Sequence, residues 1–317
     1  MEIKNTPASV TVISRADIES KNPMSIVDLF RQIPGLHVDQ VGGMGGISSV
    51  YLRGADPNFT MVLMDGVKVN DPTNARGESF DFSGLSVENI ERIEIVRGPM
   101  SAIYGSDAMG GVVNIITRNG TDTPEAALET QIGTDGYYRG NVSARASVGD
   151  FLFYSLGAGY VDGGTAVQGD RLESYDFNGK FEVFPTDRTH LQWTFRYADV
   201  QRERFPDDSG GPVHAVLRAV DNQDSEDITA GLQIDYELSS ILLFNLKGNW
   251  YSRQASCRSP GVAPGIKPFC KNQVKGLVQA VEHVDGGRMV AGPGPISRMS
   301  SIPFNRLLII PPFFQTG

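Results

Sequence analysis

The sequence predicts an α+β domain followed by antiparallel strands of a transmembrane β-barrel, and an incomplete barrel at that. Three observations predict it. Residues 6–118 mix helix-period and strand-period segments joined by glycine-rich turns. Residues 125–253 alternate apolar and polar side chains for whole strand lengths, giving about seven strands. Between those strands tight turns alternate with longer polar loops, as at the two ends of a transmembrane barrel.

The first domain is legible element by element. Val10, Thr11, Val12 and Ile13 read as an opening strand. Ser14 then fits an N-cap, and Asp17, three residues on, faces the positive end of the helix dipole. Ser25 caps a second helix, with Asp28 three residues on. Ile26, Leu29, Phe30 and Ile33 stand at i, i+3, i+4 and i+7, which makes one apolar face. Pro34-Gly35 stops that helix. Strands are expected at 36–40, 50–53 and 60–64, and Asp65-Gly66 turns the chain into a further strand at 67–70. Ile93 and Ile95 alternate with Glu94 in another strand, which breaks at Arg97-Gly98-Pro99. A short helix follows, with Pro99 suited to its first position. The chain breaks again at Gly105, Gly110 and Gly111 and closes the domain with a β-branched strand at 112–117.

After Pro124 the pattern changes. Tyr138, Val142, Ala144, Ala146 and Val148 oppose Arg139, Asn141, Ser143 and Arg145. Phe177, Phe181 and Val183 oppose Asn178, Lys180 and Glu182, and Leu191, Trp193, Phe195 and Tyr197 oppose Gln192, Thr194 and Arg196. Ile228, Ala230, Leu232, Ile234, Tyr236 and Leu238 oppose Thr229, Gly231, Gln233, Asp235 and Glu237. A soluble sandwich shows such alternation too. The connections favour the barrel: Gly149-Asp150, Pro185-Thr186-Asp187 and Ser239-Ser240 are tight turns, while 162–171 and 201–225 are longer polar loops. Tyr138, Tyr160, Trp193, Tyr197, Tyr236 and Trp250 fall mostly toward strand ends, where an interfacial girdle lies.

Composition excludes several classes. The 37 acids outnumber the 28 Lys and Arg, so nucleic acid is not an expected partner. No run of 18 apolar residues is present, which argues against a membrane-spanning helix but not against a barrel. Cys257 and Cys270 read by spacing alone as two unpaired thiols. The glycines of 42–46 lack the lysine and following helix of a phosphate loop, so no cofactor is expected; a flexible loop carrying Met44 is the better reading. Asp207, Asp208, Asp221 and Asp224 read as a solvated acidic loop, not a calcium site, and no metal is expected. His37, His190, His214 and His283 join no nucleophile or metal cluster, so the chain is not expected to be an enzyme.

Residues 90–118, with Tyr51-Leu52-Arg53-Gly54 and residues 61–70, closely resemble the plug domain of TonB-dependent outer-membrane receptors. The nearest subgroup by these motifs is the vitamin B12 (cobalamin) receptor and its relatives. The resemblance implies a plug at 6–118 seated inside a barrel of about 22 strands, in contact with outer-membrane lipid. It implies uptake of a large nutrient, cobalamin or a siderophore-type metal chelate, energised through TonB. It places Met44, Asn70, Asp71 and Arg76 on loops that face the nutrient. It also implies that Arg53 and Arg97 meet glutamates of the inner barrel wall, on strands later than those read here.

Residues 254–317 are expected to lie outside the barrel, as a disordered or out-of-frame tail. Prolines at 268, 293, 295, 303, 311 and 312 interrupt strand ladders there. No signal peptide or TonB box is recognisable ahead of Pro7. Seven strands cannot close around a plug, so the chain is expected to be the N-terminal part of a receptor, not transport-competent alone. The alternatives are a soluble periplasmic plug-like binding module and a non-functional receptor fragment.

Overall fold

The computed structural model describes residues 9–40, 43–71, 79–165, 170–204, 220–239, 242–258, 270–285 and 289–290. The N-terminal domain opens with β1 (Ser9–Ser14), α1 (Arg15–Lys21) and α2 (Ile26–Phe30). It continues through β2 (Leu36–Gln40), β3 (Ser48–Leu52), β4 (Thr60–Met64) and β5 (Val67–Lys68). It ends with β6 (Ile90–Arg97), α3 (Ser101–Tyr104) and β7 (Gly111–Thr117). Five strands form a sheet in the order β1-β6-β7-β4-β5, with β4 and β7 parallel, while β2 and β3 pair separately.

The helical periodicity placed the core correctly. Ile26, Val27, Leu29 and Phe30 are fully buried, and Phe30 packs edge-on against Phe82 with ring centroids 5.0 Å apart. Ser14 accepts the Asp17 backbone N–H at 3.3 Å, and its own N–H donates to the Asp17 carboxylate at 2.9 Å, a complete capping box. The Ser25 N–H likewise donates to Asp28 at 3.0 Å. Two local expectations differ. β5 is shorter than 67–70 because the Asn70 side chain, not its backbone, engages β4. Pro99 stands before Met100, the N-cap of α3, and so lies outside the helix.

The second unit is a nine-stranded antiparallel sheet, the wall, in strictly sequential order. Its strands are β8 (Glu125–Ile132), β9 (Tyr138–Val148), β10 (Leu152–Asp162), β11 (Asp170–Thr186) and β12 (Thr189–Arg204). They continue as β13 (Asp221–Ser239), β14 (Leu242–Arg258), β15 (Cys270–Asp285) and β16 (Met289–Val290). β8 and β16 are its two edges, so the sheet is unclosed among the described residues.

The expected seven strands are β8 to β14, but the sheet does not stop at 253. β14 runs to Arg258, and β15 pairs with it over most of its length. The prolines that argued against strands in 254–317 bracket β15 at 268 and 293 and do not fall inside it. Residues 291–317 lie outside the described residues. The loop expected at 201–225 is also shorter, because the β12–β13 ladder persists to Arg204 opposite Asp221. Asp207 and Asp208 lie outside the described residues.

The wall is inverted relative to a soluble sheet. Leu128, Val142, Phe177, Trp193, Leu232 and Trp250 are exposed on one face, while Arg139, Asn141, Lys180, Thr194, Arg196, Arg202 and Arg253 are buried on the other. Water would not select that arrangement; lipid outside and a polar filling inside would. Aromatics cluster at both ends of the strands: Tyr138, Tyr160 and Tyr175 on the outward face at one end, and Phe153, Phe184 and His190 on the inward face, beside Glu182, at the other.

Candidate functional site

The N-terminal domain lies against the polar face of the wall, and ionic contacts span the interface. Each wall cation comes from an inward position of a strand, fixed by the two-residue period. Lys180 on β11 meets Asp65 at 3.3 Å; Asp65 sits in the β4–β5 turn and also accepts from the Thr117 N–H and hydroxyl at 3.1 and 2.6 Å. Arg139 on β9 pairs with Glu88 and donates to the Pro23 and Met24 carbonyls at 3.2 and 3.1 Å. Arg202 on β12 pairs with Asp81. Arg253 on β14 meets Asp71 at 3.0 Å and the wall carboxylate Asp227 at 2.8 Å, and the Tyr251 hydroxyl donates to Asp227 at 3.0 Å.

Asp81 is the most heavily engaged of these carboxylates. It accepts the Ser48 N–H and hydroxyl at 3.0 and 2.9 Å and the Ser83 N–H and hydroxyl at 3.1 and 2.9 Å, besides the Arg202 guanidinium. Burial alone would raise its pKa, but Arg202 and these donors outweigh burial and bring it down to about 2. One carboxylate thus ties β3 and the 79–85 segment to β12. Small residues bring the surfaces together. A Cβ on Gly45 would lie 2.5 Å from the Arg171 carbonyl oxygen and 2.7 Å from that of Glu203, both wall backbone. The Gly45 N–H donates to Asp170 at 2.9 Å. On the wall, a Cβ at Gly231 would strike the Val67 side chain at 2.7 Å.

The residues singled out in the sequence fall in different places. Met44 is half-buried and lines a crevice between domain and wall with Gly84, Val161 and Leu172. Asn70 is 2% exposed; its carbonyl oxygen accepts the Val62 N–H at 2.7 Å and its amide donates to the Thr60 carbonyl at 2.9 Å. It therefore braces the domain's own backbone. Asp71 is buried against Arg253. Arg76 lies outside the described residues.

Arg53 is exposed with a left-handed φ of 52°, and Arg97 is buried. Arg97 donates to the Ser9 hydroxyl at 3.4 Å. Burial, and then the neighbouring Arg53 charge, lower its pKa. Among the described residues neither arginine forms an ion pair with the wall. The described ion pairs across the interface join carboxylates of the domain to cations of the wall. The signal for this was present in Arg139 and Lys180, charged residues on the face opposite the apolar one. Arg202 was hidden because its strand runs on into the segment 201–225 that reads as a loop. Among the described residues no group of three or more His, Cys, Asp or Glu side chains is placed to hold a metal ion.

Residues 2–112 match the family model of the TonB-dependent Receptor Plug Domain. The matched segment is the domain seated on the polar face of the inverted wall. The fold is that of a TonB-dependent receptor. The plug and barrel wall together are similar to the ferric yersiniabactin uptake receptor FyuA from Yersinia pestis, at 19% identity and a TM-score of 0.65, over 87% of this chain and 45% of that one. They are similar to the siderophore receptor PiuA from Acinetobacter baumannii at 17% identity and 0.68, over 90% and 43%. The ferripyoverdine receptor of the Pseudomonas aeruginosa outer membrane, solved bound to ferripyoverdine, matches at 16% identity and 0.68, over 90% and 40%. The chain therefore spans under half the length of each of these receptors.

Proposed function

We propose that this chain is the N-terminal part of an outer-membrane receptor that takes up a siderophore-type metal chelate with energy delivered through TonB. The observation that carries this reading is a plug held by buried carboxylate–cation pairs against a sheet whose apolar face points outward. Such a plug blocks a pore while staying separable from it, since polar contacts can be exchanged for water where an apolar core cannot. The solved receptors of the same fold quoted above are siderophore receptors, which favours a metal chelate over cobalamin.

In this reading Met44 and Arg76 contact the chelate, while Asn70 and Asp71 hold the base of their loop. Arg53 and Arg97 meet glutamates on wall strands beyond those described. The test is equilibrium binding to outer-membrane vesicles carrying the receptor, with ferric catecholate and ferric hydroxamate chelates and cyanocobalamin as separate probes. Saturable binding of a ferric chelate, weakened about tenfold by Arg76→Ala through loss of a charged hydrogen bond, is the expected result. Binding of cyanocobalamin alone would move the assignment to the cobalamin class, and no binding of any probe would overturn the uptake reading.

A further inference from the structure

We propose that Cys257 and Cys270 form an intramolecular disulfide that ties the loop-side ends of β14 and β15 together. They are the only cysteines in the 317-residue chain, and they stand directly opposite each other as register partners across the two strands. Opposed residues of an antiparallel pair have Cα atoms about 4.5–5.5 Å apart, within the roughly 4.4–6.8 Å that a disulfide spans.

The opposition depends on an irregularity. On the turn side the ladder pairs Leu243 with Asp285 and Tyr251 with Leu277. Continued unbroken, that register would set Cys257 against Lys271. The shift between Tyr251 and Arg253 moves the pairing by one residue, so Arg253 opposes Val274 and Cys257 opposes Cys270. A one-residue slip also exchanges the faces on which side chains project. Linear spacing reads as two unpaired thiols because it contains neither the bulge nor the strand pairing.

The redox step balances with a disulfide donor of the dithiol oxidoreductase class, and its location in the cell envelope rests on the outer-membrane reading above. One cysteine thiolate attacks the donor disulfide, breaking the donor S–S bond and forming a mixed disulfide. The second thiolate displaces the donor, the new S–S bond forms, and two electrons and two protons leave with the donor as a dithiol. The 12 residues between the cysteines are thereby closed into a loop whose ends are covalently fixed.

The test uses the full chain. Arg258 is the tryptic site between the cysteines, since Lys267 precedes Pro268 and resists cleavage. Outer membranes carrying the chain are denatured in guanidinium with an alkylating agent, so that thiol burial plays no part, then digested with trypsin. The expected result is a linked pair of cysteine peptides that separates only on reduction, with no alkylated cysteine before reduction. Two alkylated thiols, or linkage only between different chains, would overturn the proposal in that compartment. A second arm oxidises the purified, refolded chain in a glutathione redox buffer. Ready intramolecular linkage there, abolished by Cys257→Ser and by Cys270→Ser, supports the register even if the chain never reaches the outer membrane. Failure to link in this arm, with the strands folded by circular dichroism, would overturn the register itself and leave the uptake reading untouched.

Discussion

The plug and the wall solve opposite solvent problems with the same residue types. In the plug, Phe30, Ile93, Ile95 and Ile115 are fully buried and charged residues lie mostly outside or at the wall. In the wall, Leu128, Ile132, Trp193 and Leu232 are on the exposed face and Arg139, Lys180, Arg202 and Arg253 are buried. The difference teaches that burial alone does not identify a core. The plug's core is apolar, as burial from water selects; the wall's apolar exposed face and polar buried face are the arrangement that hydrocarbon outside and a polar filling inside would select.

The largest effect that sharpens this contrast is a matched pair of truncations. Phe30→Ala removes a fully buried ring that packs on Phe82, and is expected to destabilise the plug by about 3–5 kcal/mol. Trp193→Ala removes a larger ring that is 49% exposed on the outer face, and in detergent is expected to cost far less. Urea titration of the full chain in detergent micelles, read by hydrogen exchange in plug and wall peptides, checks both. Equal costs would break the contrast.

The next effect breaks the wall from its lipid side. Leu232 projects outward near the middle of β13, next to Gly231, whose inward side meets Val67. Leu232→Arg is expected to cost about 2–4 kcal/mol in a bilayer, falling toward zero nearer the strand ends. The same charge is already tolerated on the opposite face at Arg196, which is buried in the polar interior. Folding titrations in lipid vesicles check the depth dependence; a position-independent cost would mean that this face does not meet hydrocarbon.

Much of this architecture was legible in the sequence, for reasons that differ by region. The plug helices were marked by caps and by the 3.6-residue spacing of Ile26, Leu29, Phe30 and Ile33, which local geometry fixes. The wall strands were marked by alternation, which one-sided solvation fixes. The extent of β12 and β14 was not legible, since their added residues, 201–204 and 254–258, are mostly polar or charged and lack the alternation that marks a strand. The contact residues were least legible. Asp81 gathers donors from Ser48, Ser83 and Arg202, three segments far apart in the chain, and no local pattern announces such a meeting. Arg53 and Arg97 stand in Arg-Gly motifs, while the described interface is carried by acids of the plug.

Acid should loosen that interface later than it titrates ordinary carboxylates. The Asp81 pKa falls from 3.8 to about 2 in the folded protein. A carboxylate depressed on folding stabilises the native state above its unfolded pKa, and that contribution is lost as pH falls through the folded value. Asp81 therefore contributes about 2 kcal/mol at neutral pH, and the contribution declines between about pH 4 and 2. Hydrogen exchange at Ser48 and Ser83 as pH is lowered checks it. Asp81→Asn should remove this component of the acid sensitivity, and an unchanged profile in that variant would assign the loss to other plug–wall acids.

The smallest effect belongs to the plug alone, because it depends on a device that strands do not have. A ladder N–H of an interior strand is received by the strand beside it, whereas the first turn of α1 leaves N–H groups without helical partners. Ser14 and Asp17 satisfy them reciprocally, and the Ser14 hydroxyl and N–H hold the exposed Asp17 carboxyl below its ordinary pKa. Ser14→Ala is expected to cost about 1 kcal/mol and to let the Asp17 pKa rise toward its usual value. Carbon-13 NMR of the Asp17 carboxyl against pH, alongside the urea midpoint, reads both. If the midpoint falls while the pKa stays low, the cap is not what depresses it; if neither moves, the junction between β1 and α1 is held by the tertiary contacts of Ile13 and Ile18, both buried, and local capping contributes nothing to the plug.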